Sequence, residues 1–256
     1  MLYQFMRPQR RRVVVENLLP VLDGDRVAAE RAAKRLFQHF AVKLADLWRY
    51  ESGVDPAPNR THWTGWEIFA AAQARGRGVL LVTPHLGNWE FGAAYFVQHD
   101  IPLLVLTQAE PEAALTQLRQ ASRARRGIET LVVGEDAFAF VEILKRLQAG
   151  ATVALLVDRP PAATAVTVEL FGRPFAASIA AAELARASGC AIVPSVIVRT
   201  SKGYAATILP EVVYDRAALG DRASRLQLTQ KIMSAFAPAI RQHVEQWYHF
   251  VPVWLP

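Results

Sequence analysis

The chain of 256 residues has a single cysteine, Cys190. It can form no intramolecular disulfide and no cysteine-based metal cluster, which suits a reducing compartment. Its place in a turn ahead of an apolar run reads as a small core residue rather than a nucleophile. No uninterrupted run of about eighteen apolar residues occurs, and the first residues lack the apolar core of a signal peptide. The expectation is that nothing spans a bilayer and that membrane contact is peripheral. Absent too are a P-loop, a dinucleotide fingerprint and a nucleophile elbow. Zinc-finger spacing, an aromatic RNA-binding strand motif and a dense basic helix are also missing, so nucleic acid is not an expected partner. His39, His62, His99, His243 and His249 lack metal-ligand spacing, and no metal and no role is assigned to them.

Lysine is scarce, with 5 Lys against 24 Arg, and the formal net charge is +6. Arginine grips phosphate and carboxylate through a planar fork, so anionic partners are expected, a phosphorylated lipid or an anionic membrane surface before others. Just over half the residues are apolar (52%) and 20% are charged, which excludes a disordered chain and leaves ample material for one core.

Along the chain, residues 1 to 20 mix Leu2, Tyr3, Phe5 and Met6 with Arg7, Arg10, Arg11 and Arg12. This composition reads either as an amphipathic segment on an anionic surface or as a solvated terminus. From Asp25, an N-cap, to Tyr50, Val27, Leu36, Phe37, Phe40, Leu44 and Leu47 recur at helical spacing. Pro56 and Pro58 interrupt before a second helix from about His62 to Ala74. Short apolar runs then follow at Val79 to Thr83, Leu103 to Thr107, Ile128 to Val133 and Val153 to Val157. Helix-like stretches long enough for crossovers separate them, which predicts a parallel sheet. Further strands are expected at Val166 to Phe171, Ile192 to Arg199 and Tyr204 to Leu209, and helices at about Ala176 to Ser188 and Ser224 to Val244. The reading is an α/β fold in one domain over 1–256, a mostly parallel central sheet flanked by helices, with a helical segment over 1–52 that is a candidate for membrane contact.

The segment Thr83-Pro84-His85-Leu86-Gly87-Asn88-Trp89-Glu90-Phe91-Gly92 directly follows a strand, where α/β sheets place ligands at their carboxyl edge. Pro84 disfavours helix, Gly87 permits an unusual backbone angle and Asn88 is a good N-cap, so a helix is expected to begin near Asn88. A turn between His85 and Glu90 would let the carboxylate reach back to the imidazole, fixing its tautomer and leaving the other nitrogen to take a proton. Singly, each residue also has a structural reading: Glu90 complementing the helix dipole, Asn88 capping, His85 hydrogen-bonded in place. Amides near Gly87 and Asn88 are available as oxyanion donors. Asp158 ends another strand at the same edge and reads as a second acidic partner of His85, as a contact to a substrate, or as an Asx-turn. Arg119, Arg123, Arg125 and Arg126 read as phosphate ligands or as a solvated helix face. Trp89, Phe91, Phe96, Phe138 and Phe140 are candidates for an acyl groove, with ordinary core as the alternative.

The decapeptide resembles the His-four-residues-acid motif of the lysophospholipid acyltransferase superfamily. Its His-Leu-Gly-Asn-Trp-Glu form resembles the branch of lipid A biosynthesis lauroyl/myristoyl acyltransferases and related phosphatidylinositol mannoside acyltransferases. The likeness runs from about Arg10 onward, through Gly76-Arg77-Gly78-Val79, the Arg-rich stretch ending at Gly127, Asp158, Phe171-Gly172-Arg173-Pro174, Gly189-Cys190-Ala191, Arg199 and Glu245-Gln246-Trp247-Tyr248. Two features depart from that branch: no N-terminal transmembrane helix is evident, and Asp158-Arg159 stands where Asp-Gln is usual.

The resemblance implies direct acyl transfer from a thioester, on acyl carrier protein or coenzyme A, to a hydroxyl of a lipid or glycolipid, with no covalent enzyme intermediate and no other cofactor. His85 would be the base and Glu90 its support. Asn88, Arg123, Arg126, Asp158 and Arg173 would contact substrate. The expected location is peripheral, at the cytoplasmic face of the inner membrane. A (thio)esterase or a non-catalytic lipid-binding protein is the rival reading.

Overall fold

A computed structural model of the chain describes residues 8–54, 61–109, 112–134 and 137–255. Seven strands form the central sheet: β1 (Thr61–Thr64), β2 (Val79–Thr83), β3 (Leu103–Gln108), β4 (Glu129–Val133), β5 (Thr152–Leu156), β8 (Ala191–Thr200) and β9 (Gly203–Ile208). Their order is β1-β9-β8-β2-β5-β3-β4. All neighbouring pairs run parallel except β8 with β9. The two remaining strands, β6 (Ala165–Leu170) and β7 (Arg173–Ser178), form a separate antiparallel hairpin. The α/β class and the mostly parallel sheet are as the sequence predicts.

The helices are α1 (Pro8–Leu18), α2 (Arg26–Glu51), α3 (Trp66–Ala74), α4 (Glu90–Gln98), α5 (Ala113–Ala124), α6 (Ala137–Gln148), α7 (Ala180–Ser188) and α8 (Arg222–Gln242). Helix α2 forms where expected because the Asp25 side chain accepts from the Ala28 N–H at 2.9 Å, satisfying one orphan donor of the first turn. Ala29, Ala32, Ala33, Leu36, Lys43 and Leu47 are its buried stripe; Val27, expected in that stripe, is exposed. In α1, Val14, Val15 and Leu18 join the main core while Arg10, Arg11 and Arg12 are exposed. Its apolar face is therefore spent on the protein and not on a surface. Leu2, Tyr3, Phe5, Met6 and Arg7 lie outside the described residues, as do Pro56 and Pro58.

Two helix starts differ from expectation. Residues 61–64 pair with β9 as an edge strand, and α3 begins only after Gly65, whose left-handed backbone (φ +76) lies against the Ile208 carbonyl. Helix α7 begins at Ala180 because residues 173–178 are taken by the β6–β7 hairpin.

Strand β2 is the centre of the molecule. Leu80 and Val82 belong to one core cluster, and Val79 and Leu81 to another. Its two faces are thus both covered, as the side-chain alternation of a strand requires. The chain leaves β2 for β3, passing β5, and leaves β5 for β8, passing β2. Leaving in opposite directions, the two connections pack on opposite faces of the sheet, which opens a crevice at the carboxyl ends of the two strands.

Candidate active site

Register places the two key side chains. Thr83 on β2 pairs with Leu156 on β5, and the Val157 N–H donates to the Thr83 carbonyl at 3.2 Å. Two residues further along each chain stand His85 and Asp158. Imidazole Nδ1 lies 2.7 Å from Asp158 Oδ1, and the His85 backbone N–H reaches both carboxylate oxygens, at 3.0 and 2.9 Å. Asp158 Oδ2 also accepts from Trp247 Nε1 and lies 2.9 Å from His249 Nε2. The Asp158 side chain is fully buried, while that of His85 retains 14% exposure.

Because a carboxylate only accepts, the proton on the shared bond belongs to His85 Nδ1, which leaves Nε2 as the lone-pair nitrogen. Burial pushes the His85 pKa down, and Asp158 opposes that shift only in part, so the environment favours the neutral ring. For Asp158, burial alone would raise the pKa, but the His85 and His249 rings outweigh it and hold the carboxyl well below the usual range.

The carboxylate expected for this role, Glu90, is engaged elsewhere. Its oxygens accept from Arg123 Nε at 3.1 Å and Nη2 at 2.6 Å, and Arg119 approaches to 4.0 Å. Burial would raise the Glu90 pKa, yet Arg123, Arg119 and Lys43 together lower it. Both residues of the motif are thus paired with a charge-bearing partner, but not with each other. Glu90 starts α4 and points to α5; His85 precedes the turn and points to β5.

The turn explains the division. Gly87 has φ +63, and a Cβ there would lie 1.8 Å from the Ile197 carbonyl oxygen, so only glycine fits. Its N–H donates to the Gln246 carbonyl and that of Asn88 to the Ile197 carbonyl, both at 2.9 Å. These two amides are consumed by the scaffold, so neither is the oxyanion donor the sequence offered. Asn88 does not cap α4 with its side chain; it is buried, and its amide nitrogen lies 3.5 Å from the Tyr204 hydroxyl. That hydroxyl in turn donates to Asp46 on α2 at 2.6 Å.

The other expected contacts scatter. Arg126 lies over the Tyr50 ring, 3.2 Å from its centre. Arg123, Arg126, Glu90, Tyr50 and Glu51 share one small crevice. Arg173 is exposed at the tip of the β6–β7 hairpin, two residues before Phe175, which packs on Trp247 and His249. Phe91 and Phe96 are core residues, while Phe138 is 79% exposed. Of the aromatic set, Trp89 is the one that meets the imidazole, edge to face with ring centres 5.0 Å apart. Cys190 is buried, and burial pushes its thiol up to about 11, consistent with a core residue.

Trp247 and His249 were not legible as site residues. They come from a segment that Asn17 ties down through the carbonyls of His249 and Val251, at 3.1 and 2.8 Å. Gln246 completes the tie by pairing with both the N–H and the carbonyl of Arg199. Among the described residues no group of His, Cys, Asp and Glu is arranged to hold a metal, and no helix is long and apolar enough to cross a membrane.

Comparison with known proteins gives the family. The model of the bacterial lipid A biosynthesis acyltransferases matches residues 3–256. A phosphatidylinositol mannoside acyltransferase of Mycobacterium tuberculosis is 30% identical over 193 residues, covering 75% of this chain and 59% of its own length. One of Mycolicibacterium smegmatis is 25% identical over 181 residues, covering 70% and 58%. The chain spans about three fifths of the length of these curated relatives.

Proposed function

Since the chain belongs to the bacterial lipid A biosynthesis acyltransferase family, we propose that it transfers a fatty acyl group from a thioester to a hydroxyl of a glycolipid or phospholipid, with His85 as the general base. The observation that carries this reading is an imidazole whose Nδ1 is held by a fully buried carboxylate. Its Nε2 is left for a substrate at the carboxyl edge of the sheet. Asp158, and not Glu90, is the orienting carboxylate. Glu90 and Arg123 form a buried pair that fixes α4 to α5 and so holds the turn from which His85 projects.

In the reaction, Nε2 removes the acceptor hydroxyl proton as that oxygen attacks the thioester carbonyl carbon. The adduct then collapses, the C–S bond breaks, and the thiolate takes the proton from the imidazolium. Asp158 stabilises the imidazolium in between. Base catalysis of this kind supplies roughly a hundred- to ten-thousand-fold. The acyl thioester, on carrier protein or coenzyme A, is the co-substrate. The mannosylated phospholipid named for the mycobacterial relatives is the first acceptor class to try. Peripheral attachment to an anionic inner-membrane surface is in keeping with the net charge of +6.

Mass spectrometry of the protein incubated with palmitoyl-CoA and a panel of glycolipids is the test. An acylated lipid that disappears with His85→Ala supports transfer. Free fatty acid alone points to a thioesterase, and bound lipid without turnover to a carrier; either result ends the proposal.

A further inference from the structure

We propose that Lys43 holds a negatively charged oxygen of the substrate beside His85, an inference that rests on the acyl-transfer reading above. Lys43 projects from α2 and is only 5% exposed. Among the described residues it has neither a hydrogen bond nor an ion pair. Burial pushes the Lys43 pKa well below the usual lysine range; Glu90 opposes that shift, but its carboxylate is chelated by Arg123. The ammonium sits instead on the Trp89 ring, 2.8 Å from its centre, with the Tyr248 ring at 5.1 Å. The Trp89 ring also meets the His85 imidazole, so a single indole separates the buried cation from the proposed base.

An ammonium taken out of water with no carboxylate in contact is costly, and a cation–π contact offsets the cost only in part. A cation kept in such a place is matched to a charge that arrives with the substrate. Acyl transfer supplies one. When the acceptor oxygen attacks, the carbonyl π electrons move onto the thioester oxygen, and a fixed cation in a water-poor site stabilises that oxyanion without reorganising. The need is specific here, because the turn amides of Gly87 and Asn88 are already spent on Gln246 and Ile197. A phosphate oxygen of either substrate has the same chemistry, and kinetics separate the sources.

The test compares Lys43→Met, close in shape and uncharged, with Lys43→Arg. We expect Lys43→Met to fold with a Tm equal to or above the parent, since a buried charge is removed, and to lose a hundred- to a thousand-fold in kcat/KM. A loss confined to kcat identifies the carbonyl oxygen; a rise in KM for one substrate identifies a phosphate on that substrate. Lys43→Arg, which keeps the charge, is expected to retain more activity than Lys43→Met. A stable Lys43→Met with kcat/KM within twofold of the parent overturns the inference. So does an equal loss of Tm and activity in both variants, which marks a structural role. Should the parent bind palmitoyl-CoA without turning it over, the proposed function fails independently. Lys43 is then judged by affinity: binding weakened tenfold or more in Lys43→Met keeps the inference, and equal binding ends it.

Discussion

Replacing Asp158 with asparagine keeps the shape of the side chain and inverts what it can offer its neighbours. Trp247 Nε1 can only donate, so the asparagine oxygen must occupy the place of Oδ2, now 2.9 Å from that indole. The amide NH2 then stands where Oδ1 is, 2.7 Å from His85 Nδ1. Two donors cannot share that bond, and His85 is driven to the tautomer with its proton on Nε2, the nitrogen required to receive one. Loss of a charge-assisted bond costs about 1.5–3 kcal/mol, and breaking a buried pair roughly 3–5 kcal/mol. Acyl transfer is expected to fall roughly 10²- to 10⁴-fold. Nitrogen-15 NMR of the histidine rings reads the tautomer without any substrate: Nδ1–H in the parent and Nε2–H in Asp158→Asn, with Glu90→Gln leaving the parent pattern intact. If Glu90→Gln inverts the tautomer and Asp158→Asn does not, the assignment of roles is wrong.

Other perturbations act on the groups around this pair. Activity should fall as the pH drops through a value below the ordinary histidine range, because His85 acts only when neutral and its pKa is lowered; a pH–kcat/KM profile with its acid limb above that range contradicts this. Gly87→Ala puts a Cβ against the Ile197 carbonyl at positive φ and should cost roughly 3 kcal/mol or more, seen in denaturant unfolding. Trp247→Phe removes one donor from the Asp158 carboxylate and should cost about 1.5–3 kcal/mol, with a lower Tm and reduced turnover. Cys190→Ala should leave acyl transfer unchanged, and the native thiol should resist alkylation at neutral pH, since burial holds it protonated.

What the sequence could and could not tell follows from the range of the interactions. Periodicity locates β2 at Val79–Thr83 and β3 and β5 nearly as well, because a strand covered on both faces writes a continuous apolar run. The strand–turn–helix after β2 is legible from Pro84, Gly87 and Asn88, although Asn88 does not cap the helix with its side chain. Which acid serves His85 was not: Glu90 is five residues away and Asp158 seventy-three, and only the β2–β5 register decides between them. Trp247 and His249 had less signal still. An aromatic and a histidine near the end of a sequence read as core or surface until tertiary structure sets them on the carboxylate, 89 and 91 residues from it. The turn amides looked available because local sequence does not show that β8 and the Gln246 segment lie against them.

That long separation has a consequence during synthesis. A nascent chain that has emerged just beyond β5 already contains the imidazole and its acid, but Asp158 then lacks the indole and the second imidazole that complete its contacts. Until residues 247–249 leave the ribosome, the carboxylate has no reason to be dry and the His85 ring no firm anchor. The full set of contacts around Asp158 is therefore completed late, once the downstream segment can be buckled onto the carboxyl edge of the sheet.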